Sequence, residues 1–246
     1  MNNWLNKRVQ KLTTIKMIKA LIFDFDGLIL ETEEPVYISW QEIYRDFKCD
    51  LTFEMWSKNI GTTEEAFDPF GELERQTGRP LPRQEIFDRH HKREMELVLK
   101  RDVMPGVINY LEDARKLGLK IGLASSSRCD WVTWHLERLG LIGYFNSIKG
   151  ADDVLRTKPD PELFQLVLSD LGVRPEQAVV FEDSVIGLSA AKKAGAFCVW
   201  IPNKLTSRLK TGQADLRLES LEELSLGELL LQFNNRNLIL NSKVKK

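Results

Sequence analysis

Residues Ile18–Gly27 read IKALIFDFDG. The portion Ile18–Phe25 is a short apolar run rich in Ile and Phe, bounded by an acidic turn, as expected of a strand buried on both faces. It ends in two carboxylates, Asp24 and Asp26, and in Gly27, which permits a sharp turn. Alternation along a continuing strand points Asp24 and Asp26 the same way. Carboxylates gathered at a strand end are costly unless something compensates them, such as a metal. For an isolated DxDG, an Asx turn with solvated acids is the plain alternative.

Working outward, similar runs recur at Lys120–Ala124 (KIGLA), Ala178–Phe181 (AVVF) and Phe197–Ile201 (FCVWI), with a weaker one at Asn146–Ile148. Helical stretches lie between them, at about Val107–Leu117, Asp130–Leu139, Pro161–Leu171 and Val185–Ala194. Gly118, Gly140, Gly172 and Gly195 follow these helices in C-cap positions. Asp160 and Pro161 read as N-cap and first helical residue of the third. Strands alternating with helices imply an α/β fold with a parallel sheet covered on both faces. In such sheets the site lies beyond the carboxyl ends of the strands. The alternation is interrupted between about Glu33 and Val103, a charged and mostly helical stretch too long for a crossover. Gly71–Pro82 is expected to be a turn inside it, and Leu221–Leu231 a closing helix.

Two later strands also end in polar groups. Lys120–Ala124 runs into Ser125-Ser126-Ser127, and Ala178–Phe181 into Glu182-Asp183-Ser184; Lys158 precedes Pro159-Asp160. Singly, these read as helix N-caps, helix-dipole compensation and a solvated loop lysine. Together, acid, hydroxyl, lysine and acid pair follow one another in order at strand-to-helix loops that could converge on one sheet edge.

On these residues the chain resembles the haloacid dehalogenase-like superfamily. DFDGLILETE, LASSS, TKPDPELF and VVFEDSVIGLSAAKKAG look like its four motifs, over roughly residues 17–215. The nearest likeness is to the β-phosphoglucomutase-like phosphatase branch. The resemblance implies a Rossmann-like core over 17–32 and 104–233 and an all-helical cap over 33–103. It implies that Asp24 is the nucleophile that becomes an aspartyl-phosphate, and that Asp26 is the general acid and base. Ser125 and Lys158 would hold the phosphoryl group. Mg²⁺ would be bound by Asp24, the backbone carbonyl of Asp26, and Asp183, with Glu182 a direct or indirect partner. Gly61, Thr62 and Thr63 would form a cap loop facing the leaving group. Mg²⁺ suits hard oxygen ligands, and a cation relieves the repulsion between an attacking carboxylate and a phosphoryl group.

The second aspartate, Asp26, favours phosphoryl transfer over dehalogenation, because a halide leaves without a proton. Val36 stands where β-phosphoglucomutase has a histidine, and Glu64 near where it has an arginine for a second phosphate. The expected activity is therefore hydrolysis of a small phosphorylated metabolite, with a sugar-phosphate mutase as the alternative. A phospho-acceptor signalling or binding domain is the non-enzyme alternative; the first is disfavoured by the chain's length and its helical insert, the second because all the catalytic positions are filled.

Composition narrows the remaining classes. The chain has 246 residues, 35 Lys+Arg against 36 Asp+Glu, 43% apolar and 29% charged residues. Balanced charge argues against a nucleic-acid partner, and no apolar run is long enough for a membrane span. Cys49, Cys129 and Cys198 are far apart, which fits a reducing, cytoplasmic setting. Residues 1–16, basic and without an acid, read either as an extension or as lying upstream of a natural start at Met17. Residues 234–246 read as a polar, basic tail, poorly ordered apart from Leu238–Leu240. His90, His91 and His135 are expected to be packed or solvated and Trp131 and Trp134 to be packing, and nothing marks Cys129 as reactive. Nothing in the sequence sets an oligomeric state; a monomer is the default.

Overall fold

Every residue of β1, Ala20–Phe23, is buried, because the strand lies at the middle of a six-stranded sheet. The computed structural model describes residues 18–60, 67–209 and 214–243, and side chains as far as Asn234. The sheet joins β1 to β2 (Lys120–Ala124), β3 (Ser147–Lys149), β4 (Ala178–Glu182), β5 (Phe197–Trp200) and β6 (Leu216–Arg217). Its order is β3-β2-β1-β4-β5-β6, and every pairing is parallel. The chain builds β2 and β3 on one side of β1, then crosses to place β4 on the other. That reversal leaves a crevice at the carboxyl ends of β1, β2 and β4.

Side-chain alternation along β1 separates two apolar layers. Leu21 and Phe23 pack with α5 (Val107–Lys116), α6 (Cys129–Arg138) and α9 (Leu226–Lys243). Ala20 and Ile22 pack with α7 (Glu162–Leu171) and α8 (Val185–Lys193). The four glycines expected to end helices have positive φ: Gly118 69°, Gly140 70°, Gly172 61° and Gly195 84°.

The interruption after β1 is helical. It contains α1 (Glu33–Asp46), α2 (Phe53–Trp56), α3 (Pro69–Thr77) and α4 (Arg83–Val98). These enclose an apolar cluster of their own, including Tyr37, Trp40, Tyr44, Trp56 and Leu73. Arg93 on α4 grips Glu42 on α1 with two hydrogen bonds, at 2.8 and 2.9 Å. The loop after β5 also enters this insert: Leu205 joins its cluster, and Lys204 pairs with Glu34.

Several boundaries differ from expectation. Helix α3 runs through Gly71, so the turn is confined to Gly78–Pro82. Helix α7 starts at Glu162 rather than Pro161; Asp160 still accepts a hydrogen bond from the Glu162 amide at 3.1 Å. The closing helix begins later and extends further than Leu221–Leu231, so the stretch expected to be a loose tail is helical to Lys243. Its amphipathic start, with Leu226, Leu229 and Phe233 buried, anchors it on the sheet. The short strand β6 was not anticipated. Among the described residues, no helix is long and apolar enough to cross a membrane.

Candidate active site

β1 ends at Phe23, but its pairing continues one residue further: the Asp24 amide donates to Phe181 O at 3.0 Å. That fixes Asp24 at the rim of the sheet, only 6% exposed. Gly27, at φ 76°, then turns the chain. A side chain there would lie 2.4 Å from Asp183 Oδ2, so the turn needs glycine for space as well as for backbone angle.

Lys158 comes from the loop before α7 and is 4% exposed. Its Nζ lies 2.6 Å from Asp24 Oδ1 and 2.5 Å from Glu182 Oε1, and 5.1 Å above the Phe164 ring. Burial opposes its charge, but the two carboxylates outweigh burial and hold its pKa above the ordinary lysine value. Glu182 ends β4 and is wholly buried. Its other oxygen accepts from Ser184 Oγ at 3.1 Å, and Ser184 Oγ accepts from the Gly187 amide at 3.0 Å, capping α8. The Glu182 carboxylate occupies the space where a Gly187 Cβ would sit, 1.9 Å from Oε2.

Asp183 follows Glu182 and is 2% exposed. Asn203 Nδ2 donates to its Oδ2 at 2.7 Å, and Trp200 Nε1 to its backbone oxygen at 2.8 Å. Asn203 Oδ1 accepts from the amides of Leu205 and Thr206, both at 2.9 Å, which fixes the loop that carries it. Ligand oxygens of Asp24, Glu182 and Asp183 lie within 4.8 Å of one another.

This cluster holds more negative charge than Lys158 offsets. Burial, then the charge of Glu182, pushes the Asp24 carboxyl up to about 7 despite Lys158. Burial, then Asp24, raises Asp183 well above the usual carboxylate range. Glu33, at the start of α1, is pushed up to about 8 by burial and by Asp26. Buried all-oxygen ligands with surplus negative charge suit a hard divalent cation.

Asp26 has its own set of partners. Its Oδ1 accepts from Thr32 Oγ1 at 2.9 Å and Trp131 Nε1 at 3.1 Å. Its Oδ2 accepts from Ser125 Oγ at 3.1 Å and Ser127 Oγ at 2.7 Å. Ser125 itself is buried at the end of β2, held by its amide on Lys149 O at 3.0 Å.

The expected residues Asp24, Asp26, Ser125, Lys158 and Asp183 all line one cavity of about 450 Å³, and Glu182 lies beneath it. Gly61, Thr62 and Thr63 lie outside the described residues. The insert contributes Glu33, Val36, His91 and Glu94 to the opposite wall; His91 is exposed, as expected, and lines the cavity from its solvent side. His90 is buried, with Nδ1 2.8 Å from Ser39 Oγ. The Cys129 thiol is pushed up to about 12, chiefly by burial, in keeping with an unreactive thiol. Sequence reading missed Thr32, Ser127, Trp131 and Asn203. Thr32 and Ser127 lie within the motifs themselves, and Asn203 repeats the pattern of a polar group just past a strand end.

Comparison with known proteins identifies the family. The family model described as haloacid dehalogenase-like hydrolase matches residues 21–201. YhcW of Bacillus subtilis (strain 168), provisionally named a phosphatase, is 47% identical over 221 residues, covering 90% of this chain and all of that protein. The phosphorylated carbohydrates phosphatase of Thermotoga maritima is 33% identical over 180 residues, covering 72% of this chain and 82% of the relative. The beta-phosphoglucomutase of Bacillus subtilis (strain 168) is 32% identical over 217 residues, covering 84% of this chain and 95% of the relative. Motifs, sheet order and kinship converge: the chain belongs to the haloacid dehalogenase-like hydrolases.

Proposed function

We propose that the protein is a Mg²⁺-dependent phosphatase that hydrolyses a small phosphorylated metabolite through an aspartyl-phosphate on Asp24. The observation that carries this reading is the buried contact of Asp24 with Lys158 at 2.6 Å inside an acid cluster that one lysine does not neutralise. Asp24, the Asp26 carbonyl and Asp183 would hold Mg²⁺, with Glu182 engaged by Lys158. When bound, the ion supplies positive charge that lets carboxylate and phosphoryl group approach and spreads the charge that develops on the phosphoryl oxygens.

In the first half-reaction an Asp24 oxygen forms a bond to phosphorus while the bond from phosphorus to the leaving alcohol breaks. Asp26 gives its proton to the departing oxygen. In the second half, water forms a bond to phosphorus, Asp26 takes the proton back, and the Asp24–phosphorus bond breaks to release phosphate. Lys158 and Ser125 hold the transferring group, and Lys158 favours the ionised form of Asp24. The insert acts as a cap over 33–103 on a core of 17–32 and 104–233, and supplies the wall that meets the leaving group. Three unpaired cysteines are consistent with a cytoplasmic protein.

A mutase is the second reading, favoured by kinship with a phosphoglucomutase. Val36 lines the cavity where a polar group would serve that reaction, so hydrolysis is the better fit. The test is phosphate release from sugar phosphates, nucleotides and an aryl phosphate, with and without Mg²⁺. Release that needs both Mg²⁺ and Asp24 is expected. Isomerisation of a sugar phosphate without net release would replace the reading with a mutase.

A further inference from the structure

Asp26 is held by four donors, and they are not equivalent. Thr32, Ser125 and Ser127 approach with hydroxyls, which can give or accept a hydrogen bond by turning. Trp131 approaches with an indole N–H, which can only give. Oδ1 therefore meets a fixed donor throughout the reaction, whereas Oδ2 meets two hydroxyls that can reverse. We propose that Trp131 is a positioning residue for the reaction: its N–H commits Oδ1 to accepting, so that Oδ2 is the oxygen that gives the proton to the leaving group and takes it back from water. This rests on the role proposed above for Asp26. Trp131 keeps its own proton throughout, and the bonds made and broken at phosphorus are those already described.

The way Trp131 is held supports this role. Its ring stands edge-on to His135, one helical turn later on α6, with centroids 4.3 Å apart and planes at 72°. His135 is fully buried and also meets Trp134 at 4.7 Å and Phe25 at 6.0 Å. Burial lowers the His135 pKa to about 4, so the ring is neutral at ordinary pH. Phe25 is the residue between the two aspartates. A chain of ring contacts thus leaves the motif at Phe25, passes through His135 to Trp131, and returns to the motif as a hydrogen bond to Asp26. Spacing alone suggests only packing for Trp131 and Trp134. The contact with Asp26, 105 residues away in sequence, gives the indole a second task.

General-acid assistance matters most when the leaving group is poor. The test measures kcat/KM for a simple alkyl phosphate and for an aryl phosphate with a good leaving group. The variants are Trp131→Phe, Trp131→Met, Asp26→Asn and the double variants. Phe and Met both remove the N–H, and thermal melting selects the one that keeps the wild-type fold. Loss of the donor is expected to lower kcat/KM about tenfold for the alkyl ester and less than about twofold for the aryl ester. In the Asp26→Asn background it is expected to have no further effect. Trp131→His, which keeps an N–H, is expected to recover most of the alkyl-to-aryl ratio. Equal losses for both esters, or an undiminished loss in the Asp26→Asn background, would overturn the proposal and leave Trp131 a packing residue. If Asp26→Asn itself spares the alkyl ester, the acid role of Asp26 fails first, and this proposal fails with it.

Discussion

The two walls of the cavity are built in different ways. On the sheet wall, each acid is tied to named partners: Asp24 to Lys158, Glu182 to Lys158 and Ser184, Asp183 to Asn203, and Asp26 to four donors. On the insert wall, Val36 offers no polar group, and His91 and Glu94 meet only loosely, at 3.5 Å. On the function proposed above, the contrast assigns different work to each wall. A phosphoryl group is the same in every substrate and rewards fixed groups, because preorganised charge needs no rearrangement as the reaction proceeds. The remainder of the substrate varies, and the wall that meets it carries fewer commitments.

The contrast can be broken most severely at Asp24. Asp24→Asn keeps the side chain's shape and removes the nucleophile, and is expected to lower kcat at least about a thousandfold. A steady-state phosphate assay checks this, with circular dichroism as the control for folding.

Lys158→Met tests whether the sheet wall is held together by this buried cation. It leaves Glu182, wholly buried, without its ion-pair partner. Breaking a buried pair from one side costs about 3–5 kcal/mol, so both activity and the urea midpoint are expected to fall. A variant that melts like the wild type would show that the wall does not depend on this contact.

Acid should reveal the two apolar regions separately. His90 belongs to the insert and His135 to the sheet layers, and burial lowers each from 6.5 to about 4. Between those values the unfolded chain takes up protons that the folded chain excludes. Their contribution to stability is full above about pH 6.5 and is lost as pH falls toward 4, by up to about 3 kcal/mol for each histidine. Urea titrations across this range should show a shallower dependence for His90→Phe. Ser39 Oγ keeps a partner in that variant, the Val36 carbonyl at 2.8 Å.

The smallest effect is expected on the insert wall. Glu94→Gln should reorder a panel of phosphate esters by about tenfold while inhibition by inorganic phosphate stays within about twofold. Equal changes for every ester would mean that this wall also serves the phosphoryl group.

The parallel sheet was legible because β1, β2, β4 and β5 are unbroken apolar runs between capped helices. β6 was not legible, since two residues, Leu216 and Arg217, carry no periodicity. That Asp24, Lys158 and Asp183 meet at one cavity was legible from the four motifs taken together, although each alone reads as a turn, a solvated loop lysine or helix-dipole compensation. The contacts that orient them were not. Trp131 sits on a helix face where an aromatic residue signals packing, and only the folded chain brings it to Asp26. Asn203 follows β5 as the other polar groups follow their strands, and that pattern was a usable signal. The insert's share of the site was hidden because His91 and Glu94 lie on a heavily charged helix whose inward face the sequence does not mark.

The most direct test of the proposed chemistry is a rapid acid quench of the wild-type protein with Mg²⁺ and a phosphate ester labelled on phosphorus, followed by peptide mapping and parallel turnover of Asp24→Asn. Label on the peptide that contains Asp24, removed by a chase of unlabelled ester, together with a silent Asp24→Asn variant, is the predicted result. Phosphate release by Asp24→Asn at the wild-type rate, with no label retained by the wild type, would contradict it.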